Sequence, residues 1–296
     1  MIDHEPIFRD RELNRRLFVE GYITLPFLNE NEIDRLKQIF KNYHPEVESA
    51  EGLHISSHIQ GDDQIQQVSD EIQSVFNRAI DQHIENGMTL GGTFISKPPH
   101  QTEPLQPHQD WSIVDESRFR SFTIWVPLDD VNEENGCMYV LPGSHEYARG
   151  YRHISIDSIY GQIYETVWQH MIPIHLKAGE AIVFDHALGH ASKPNTTSEV
   201  RIAATHSLIS ENPEMRFYWN NHGVVEEYIG ENDFYNTPEA KTGPISLSKI
   251  RNLDFELYQF SEQSFLDTLQ KNGRVKEDSR DSTYILGWAK RLVGVK

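Results

Sequence analysis

His108 and Asp110 stand two residues apart in the run Pro107-His108-Gln109-Asp110. On an extended strand, side chains two apart share a face, so an imidazole and a carboxylate can approach one ion from adjacent directions while Gln109 points the other way. One distant histidine would complete a two-histidine, one-carboxylate set, which keeps coordination positions open and suits non-haem Fe(II) in oxygen chemistry. A lone His-x-Asp decides little, because surface instances are common. Four downstream histidines compete for the third place: His175, His186, His190 and His206. His186 and His190 have the same strand parity after the apolar run Ala181-Ile182-Val183-Phe184, so periodicity does not separate them. His206 has opposite parity to Arg201 and is expected to face away from it. Spacing leaves the choice open.

The segments that must hold these residues change character along the chain. Residues 10–20 predict a short amphipathic helix stopped by Gly21, and 22–26 alternates like a strand. Asn29 with Glu32 three residues on reads as a capping box. It opens a helix with Ile33, Leu36, Ile39, Phe40 and Tyr43 at helical spacing. Residues 44–68 show no clear period, and their histidines His44, His54 and His58 are expected to be loop residues. A second helix is expected from Ser69 to about Glu85, stopped by Asn86-Gly87.

From Thr89 onward, short apolar or alternating runs predict strands at 89–97, 120–128, 136–141, 172–176, 181–185 and 201–209. Such spacing predicts an antiparallel sandwich or barrel. Residues 146–170 read as a polar, aromatic insertion. Beyond 210 the pattern is irregular and aromatic, with helical stretches near 262–272 and 280–292. With no internal repeat or clean linker, one domain over residues 1–296 is expected, with a helical N-terminal region at 1–88, a β core at about 89–210 and a mixed C-terminal region at 211–296.

Composition narrows the partners. With 38% hydrophobic and 24% charged residues over 296 positions, the chain has the make-up of an ordinary globular protein. A formal net charge of −18 argues against nucleic acid and anionic membrane surfaces as partners. The single cysteine, Cys137, excludes an intramolecular disulfide and a cysteine-rich zinc site. It is expected to be a buried small apolar residue, not a nucleophile. The stretch MIDHEPIFRDRELN lacks the apolar region of a signal peptide, and no run approaches the roughly 18 apolar residues of a membrane span. A cytoplasmic location is the expectation.

The run from Lys97 to Ser207 resembles the phytanoyl-CoA dioxygenase family of Fe(II)- and 2-oxoglutarate-dependent oxygenases. The matching pieces are Lys97-Pro98-Pro99, Pro107-His108-Gln109-Asp110, Trp125 in TIWVPLDD, and NGCMYVLPGSH ending at His145. Downstream come Ala178-Gly179-Glu180, His190-Ala191-Ser192, Asn195 and Arg201, in the family's order and spacing.

The resemblance implies a mostly β fold with flanking helices around a double-stranded β-helix (jelly-roll, cupin-like) core. It implies that His108, Asp110 and His190 bind iron and that Arg201 pairs with the distal carboxylate of 2-oxoglutarate. A planar guanidinium grips a carboxylate bidentately, which agrees with that role. Lys97 and Trp125 match family positions lining the cosubstrate pocket. Many such oxygenases have a serine two residues after the arginine; Ala203 stands here, so one cosubstrate hydrogen bond must come from elsewhere. Related halogenases replace the carboxylate ligand by a small residue, whereas Asp110 is present.

The implied cofactor set is Fe(II), 2-oxoglutarate and O2, and the implied activity is oxidation of a small molecule with release of succinate and CO2. Trp111, His145, Trp219 and His222 are candidate substrate contacts. Three rival readings share the sequence: a non-catalytic small-molecule-binding jelly roll, a cupin-like hydrolase or isomerase with another divalent metal, and an oxygenase of the same family that desaturates or takes an acyl-CoA. Oligomeric state is not legible.

Overall fold

The structure is a computed structural model describing residues 6–44, 52–59, 62–210, 213–231, 237 and 239–274. The helix expected near 280–292, residues 45–51 and 60–61 of the expected loop, and the side chain of His58 lie outside the described residues.

Helix α1 (Arg11–Glu20) starts on Asp10, whose carboxylate accepts the backbone N–H groups of Glu12 and Leu13, and ends at Gly21 with φ 83°. A Cβ on Gly21 would lie 2.5 Å from His145 Nδ1, so close approach and positive φ both call for glycine. Strand β1 (Tyr22–Pro26) leads to α2 (Glu30–Tyr43), which carries the capping box. The Asn29 side chain accepts from Glu32 N at 3.1 Å, and the Glu32 carboxylate accepts from Asn29 N at 2.8 Å.

The expected loop at 44–68 is partly regular. It holds β2 (His54–Ile55), α3 (Ser56–Ile59) and the start of α4 (Asp62–His83). The helix expected from Ser69 therefore begins at Asp62. Ile65 and Val68, buried with Ile72, Val75 and Phe76, carry its apolar stripe back toward the N-terminus through a polar, glutamine-rich turn.

The β core follows: β3 (Gly87–Lys97), β4 (Leu105–His108), β5 (Ser121–Pro127), β6 (Met138–Val140), β7 (Ile172–Ile174), β8 (Glu180–Asp185), β9 (His190–Ser192) and β10 (Arg201–Ser210). The insertion between β6 and β7 carries α5 (Ser144–Tyr147) and α6 (Tyr164–His170). Two antiparallel sheets form the jelly roll, one in the order β1-β8-β5-β10-β3-β2 and one in the order β4-β9-β6-β7.

The larger sheet separates two apolar layers. Ile124, Val126, Ala204 and Leu208 pack outward with Leu36, Phe40, Ile72 and Phe76 of α2 and α4. Trp125, Ile182, Phe184 and Ala203 face inward and pack with Val140, Ile174 and Ala191 of the smaller sheet. Strand alternation therefore decides which β5 and β10 side chains reach the interior.

No strand was expected in the tail, yet residues 213–252 contain a third sheet, β11 (Arg216–Asn221), β12 (Val224–Ile229) and β13 (Lys249–Asn252), beside the short helix α7 (Glu239–Thr242). Buried Glu226 and Glu227 disguise β12, because their ion pairs with Lys249, Arg216 and Arg251 satisfy carboxylates that a hydropathy pattern reads as exposed. Helix α8 (Glu262–Lys271) lies where the helical stretch at 262–272 was expected. Among the described residues no helix is long and apolar enough to cross a membrane.

Candidate active site

Strands β4 and β9 pair so that His108 and His190 are direct Cα partners, with ring centroids 4.2 Å apart. Each ring is fixed by its own strand. His108 Nδ1 lies 2.8 Å from Gln106 O and His190 Nδ1 lies 2.9 Å from Leu188 O, so each Nδ1–H donates to a carbonyl two residues back and frees Nε2. Asp110 follows β4. Its Oδ2 accepts the Thr123 hydroxyl at 2.8 Å, and its Oδ1 lies 3.5 Å from His190 Nε2.

One ligand atom from each of His108, Asp110 and His190 lies within 4.8 Å of the others. Around them, Arg152 Nε donates to the backbone oxygen of Asp110 at 2.9 Å. The Gln109 amide donates to Ala148 O at 2.9 Å and Ala187 O at 2.6 Å, tying this segment to the turn before β9. Nothing in the residue spacing marked Arg152 or Gln109 for these tasks.

The three rival histidines lie elsewhere. His175 is exposed beyond β7. His206 turns to the helical side of the sheet, its ring 5.4 Å from that of Phe76. His186 sits in the cavity wall with Nδ1 3.2 Å from Trp111 O, outside the ligand cluster.

Electrostatics leave His108 and Asp110 in metal-binding form. Burial, reinforced by the neighbouring His190, pushes the His108 imidazole down to about 4. Burial alone would raise the Asp110 carboxyl. The imidazoles of His190, His186 and His108 and the Thr123 hydroxyl outweigh it and hold that carboxyl below its ordinary value. A neutral imidazole and an anionic carboxylate are the forms a divalent ion binds.

Arg201 opens β10 and is 4% exposed. Its guanidinium carbon lies 5.3 Å from the Trp125 ring centroid, Nη1 donates to Ile95 O at 3.3 Å, and Nε is buried without a partner. Among the described residues no carboxylate lies within ion-pair distance of it. Burial pulls its pKa down to about 10. A buried, unpaired guanidinium is costly until an anion reaches it, and a planar carboxylate matches its fork.

Lys97 is the direct Cα partner of Arg201 across β3 and β10. Its ammonium donates to Ser192 O at 3.2 Å and to Lys193 O, so it stands behind the cavity wall and not on its surface. Burial first, and then the Arg201 charge, lower it to about 7. Ala203 points into the core between the sheets, and Thr205, also facing inward, brings a hydroxyl to the cavity on the same strand. Asn195 is a staple: its amide donates to Lys97 O, Pro98 O and Glu199 O at 3.0, 3.2 and 2.7 Å.

The triad, Arg201 and Trp125 share one cavity of about 390 Å³ between the sheets. Trp111 lines it, its ring 4.3 Å from that of His153. The other substrate candidates do not line it. His145 is buried under Gly21 with Nε2 3.0 Å from Phe18 O. Trp219 packs 5.5 Å from His153 in the tail sheet, and His222 is exposed at φ 52° in the β11–β12 turn.

The donor set of two imidazoles and a carboxylate fits Fe(II), and the orphaned buried guanidinium fits the distal carboxylate of 2-oxoglutarate. Fold and site together have the architecture of the Fe(II)- and 2-oxoglutarate-dependent oxygenases. Within that class the chain belongs to the phytanoyl-CoA dioxygenase family: the family described as Phytanoyl-CoA dioxygenase (PhyH) matches residues 21–203.

Among relatives, the phytanoyl-CoA dioxygenase of Arabidopsis thaliana is 32% identical over 122 residues, covering 39% of this chain and 42% of its own length. Dioxygenase lolE1 of Epichloe uncinata is 31% identical over 124 residues, 40% of this chain and 45% of its own. Both alignments span less than half of the relative's length.

Two solved structures share the fold. The 2-oxoglutarate-dependent carbocyclase SnoK from nogalamycin biosynthesis has a TM-score of 0.51 at 17% identity, covering 84% of this chain and 95% of that one. EctD from S. alaskensis, with 2-oxoglutarate and 5-hydroxyectoine, has a TM-score of 0.50 at 18% identity, covering 72% and 82%.

Proposed function

We propose that the protein is an Fe(II)- and 2-oxoglutarate-dependent oxygenase that hydroxylates an unactivated C–H bond of a small organic molecule, with release of succinate and CO2. The observation that carries this reading is the sharing of one cavity by a His-Asp-His cluster, with ligand atoms within 4.8 Å of one another, and a buried guanidinium that has no carboxylate partner among the described residues.

When bound, iron and 2-oxoglutarate supply the chemistry, in which decarboxylation of the oxo acid by O2 drives oxidation of a C–H bond. The chain's role is to bind and orient. His108 Nε2, His190 Nε2 and one Asp110 oxygen would hold the metal, a set of three ligands that leaves coordination positions for other groups. Thr123 fixes the Asp110 carboxylate from β5. Arg201 clamps the far carboxylate of the oxo acid, with Trp125 beneath the guanidinium excluding water. Trp111 and Phe184 form apolar wall against which a substrate rests. The proposed oxidation needs no general base from the protein.

A cavity of about 390 Å³ suits a small molecule, and the net charge of −18 disfavours a polyanionic acyl-CoA. The retained Asp110 carboxylate favours hydroxylation over halogenation. A catalytic assay tests the reading. Succinate formation from 2-oxoglutarate in air is expected to require Fe(II), to vanish in His190→Ala, and to persist as a slow uncoupled reaction in His186→Ala. Absence of iron-dependent succinate from the parent protein would refute it.

A further inference from the structure

A second cavity, of about 210 Å³, borders the first. Two segments build it, residues 150–159 of the insertion and residues 255–258 of the stretch that follows β13. His108, Gln109 and Trp111 line both cavities, so the stretch that carries two metal ligands is their common border.

Both segments are tied down. Ser112 N donates to Arg152 O at 3.0 Å and Arg152 N donates to Ser112 Oγ at 3.2 Å, which fastens the insertion alongside the metal-ligand stretch. The tail stretch is pinned at its two ends, by Leu253 N to Val225 O and by Phe260 N to Ile159 O, each at 2.8 Å. Between these pins the Phe255 ring meets Tyr151 edge-on, with centroids 4.9 Å apart.

The lining is aromatic and aliphatic: Tyr151, Ile154, Ile156, Phe255, Leu257 and Tyr258 all contribute to it. Three of these stay open to solvent, Ile154 at 63%, Tyr258 at 41% and Leu257 at 37% exposed. Large apolar side chains gathered around a cavity mark a surface that an apolar ligand covers. Among the described lining residues Arg152 is the sole lysine or arginine, and its guanidinium is already engaged by Glu116, Gly150 O and Asp110 O. An anionic group therefore finds no free fixed charge here, and exposed Asp157 repels it.

We propose that this second cavity holds the uncharged, ring-bearing apolar end of the substrate, with the reacting carbon at the border that the two cavities share. This rests on the oxygenase reading of the site and adds the substrate class to it. The main cavity must take 2-oxoglutarate as well as the reacting carbon, and the aromatic walls next door offer edge and face contacts to a ring. Phe255, Leu257 and Tyr258 lie beyond the residues 21–203 that match the family, so this half of the site belongs to the chain's own tail.

Binding of fluorinated ring compounds, followed by 19F NMR, tests this without turnover. The probes are 5-fluoroindole and 1-fluoronaphthalene, with the anion 5-fluoroindole-2-carboxylate for comparison. Protein loaded with Zn(II) and 2-oxoglutarate is expected to bind the neutral probes and to bind the anion more weakly. With Mn(II) in place of Zn(II), the bound 19F signal is expected to relax far faster, because the site borders the metal ligands. Ile154→Asp and Leu257→Asp put a charge at exposed lining positions, which spares the fold. Each is expected to weaken binding of the neutral probes at least about fivefold. Ile245→Asp, at a position 92% exposed that lines neither cavity, is expected to leave binding unchanged.

Failure of both neutral probes to bind, equal or tighter binding of the anion, or affinity that survives in both lining variants overturns the proposal. So does binding that Mn(II) leaves unrelaxed, which would place the probe away from the metal. 2-Oxoglutarate binding to the same metal-loaded protein is measured alongside. Its absence is failure of the oxygenase reading, whereas intact binding without the ring site is failure of this proposal alone.

Discussion

His108 and His190 face one another directly across β4 and β9, and neither ring depends on the other for its orientation. Each donates Nδ1–H to a carbonyl of its own strand, so backbone geometry leaves both Nε2 atoms free for the ligand cluster. The pair is preorganised by backbone, which makes the third ligand the adjustable one.

That third ligand is Asp110, and Thr123 is what orients it. Thr123→Val keeps the shape of β5 and removes the hydroxyl. It is expected to weaken divalent-metal affinity about 10- to 100-fold with little change in folding stability. Competition against a fluorescent chelator measures this, and affinity equal to the parent's would mean that Asp110 is held by other contacts.

Arg201 gives a two-sided expectation. Without 2-oxoglutarate its buried charge burdens the fold, so Arg201→Met is expected to melt no lower than the parent. With ligand at about a hundred times the parent's Kd, the parent gains about 2.7 kcal/mol and the variant nothing. Thermal melts with and without 2-oxoglutarate read both effects.

Buried neutral histidines set the acid limit. Burial holds His206 and His153 at about 4, and burial together with nearby His54 does the same for His44. In the unfolded chain these groups take up protons below about pH 6.5, while the native ones stay neutral down to about 4. Their contribution is whole above 6.5 and is lost as pH falls through that window, at about 1.4 kcal/mol per pH unit for each. His206→Leu is expected to flatten the slope by about one proton, measured by urea unfolding across pH 4 to 7.

Gly21→Ala is expected to cost at least about 1–2 kcal/mol, because the residue keeps φ 83° and its Cβ meets the His145 ring. Urea unfolding reads it. A loss well below that would mean that the α1–β1 junction relaxes easily.

Much of the frame was legible because local chemistry and tertiary structure agree there. The Asp10 and Asn29 caps, the apolar strand-like runs of 121–127 and 180–185, and the His-x-Asp spacing all carry their own signal. The choice between His186 and His190 was not legible from parity. Strand β8 ends at Asp185, and the intervening turn, closed by Leu188 N to Asp185 O at 2.8 Å, resets the phase before β9 begins. Family resemblance pointed to His190, which is the histidine that joins the ligand cluster.

The tail sheet escaped notice because paired glutamates fill a buried strand. For Lys97, residue type marked a cation but not its partners, and the backbone carbonyls that hold its ammonium have no sequence signature.

The measurement that bears most directly on the central claim is anaerobic titration of Fe(II) into the protein with 2-oxoglutarate, following the weak visible charge-transfer band of the iron chelate. The account predicts a band in the parent and in His186→Phe, and none in His190→Ala or Arg201→Ala. An iron-loaded parent without the band would contradict it.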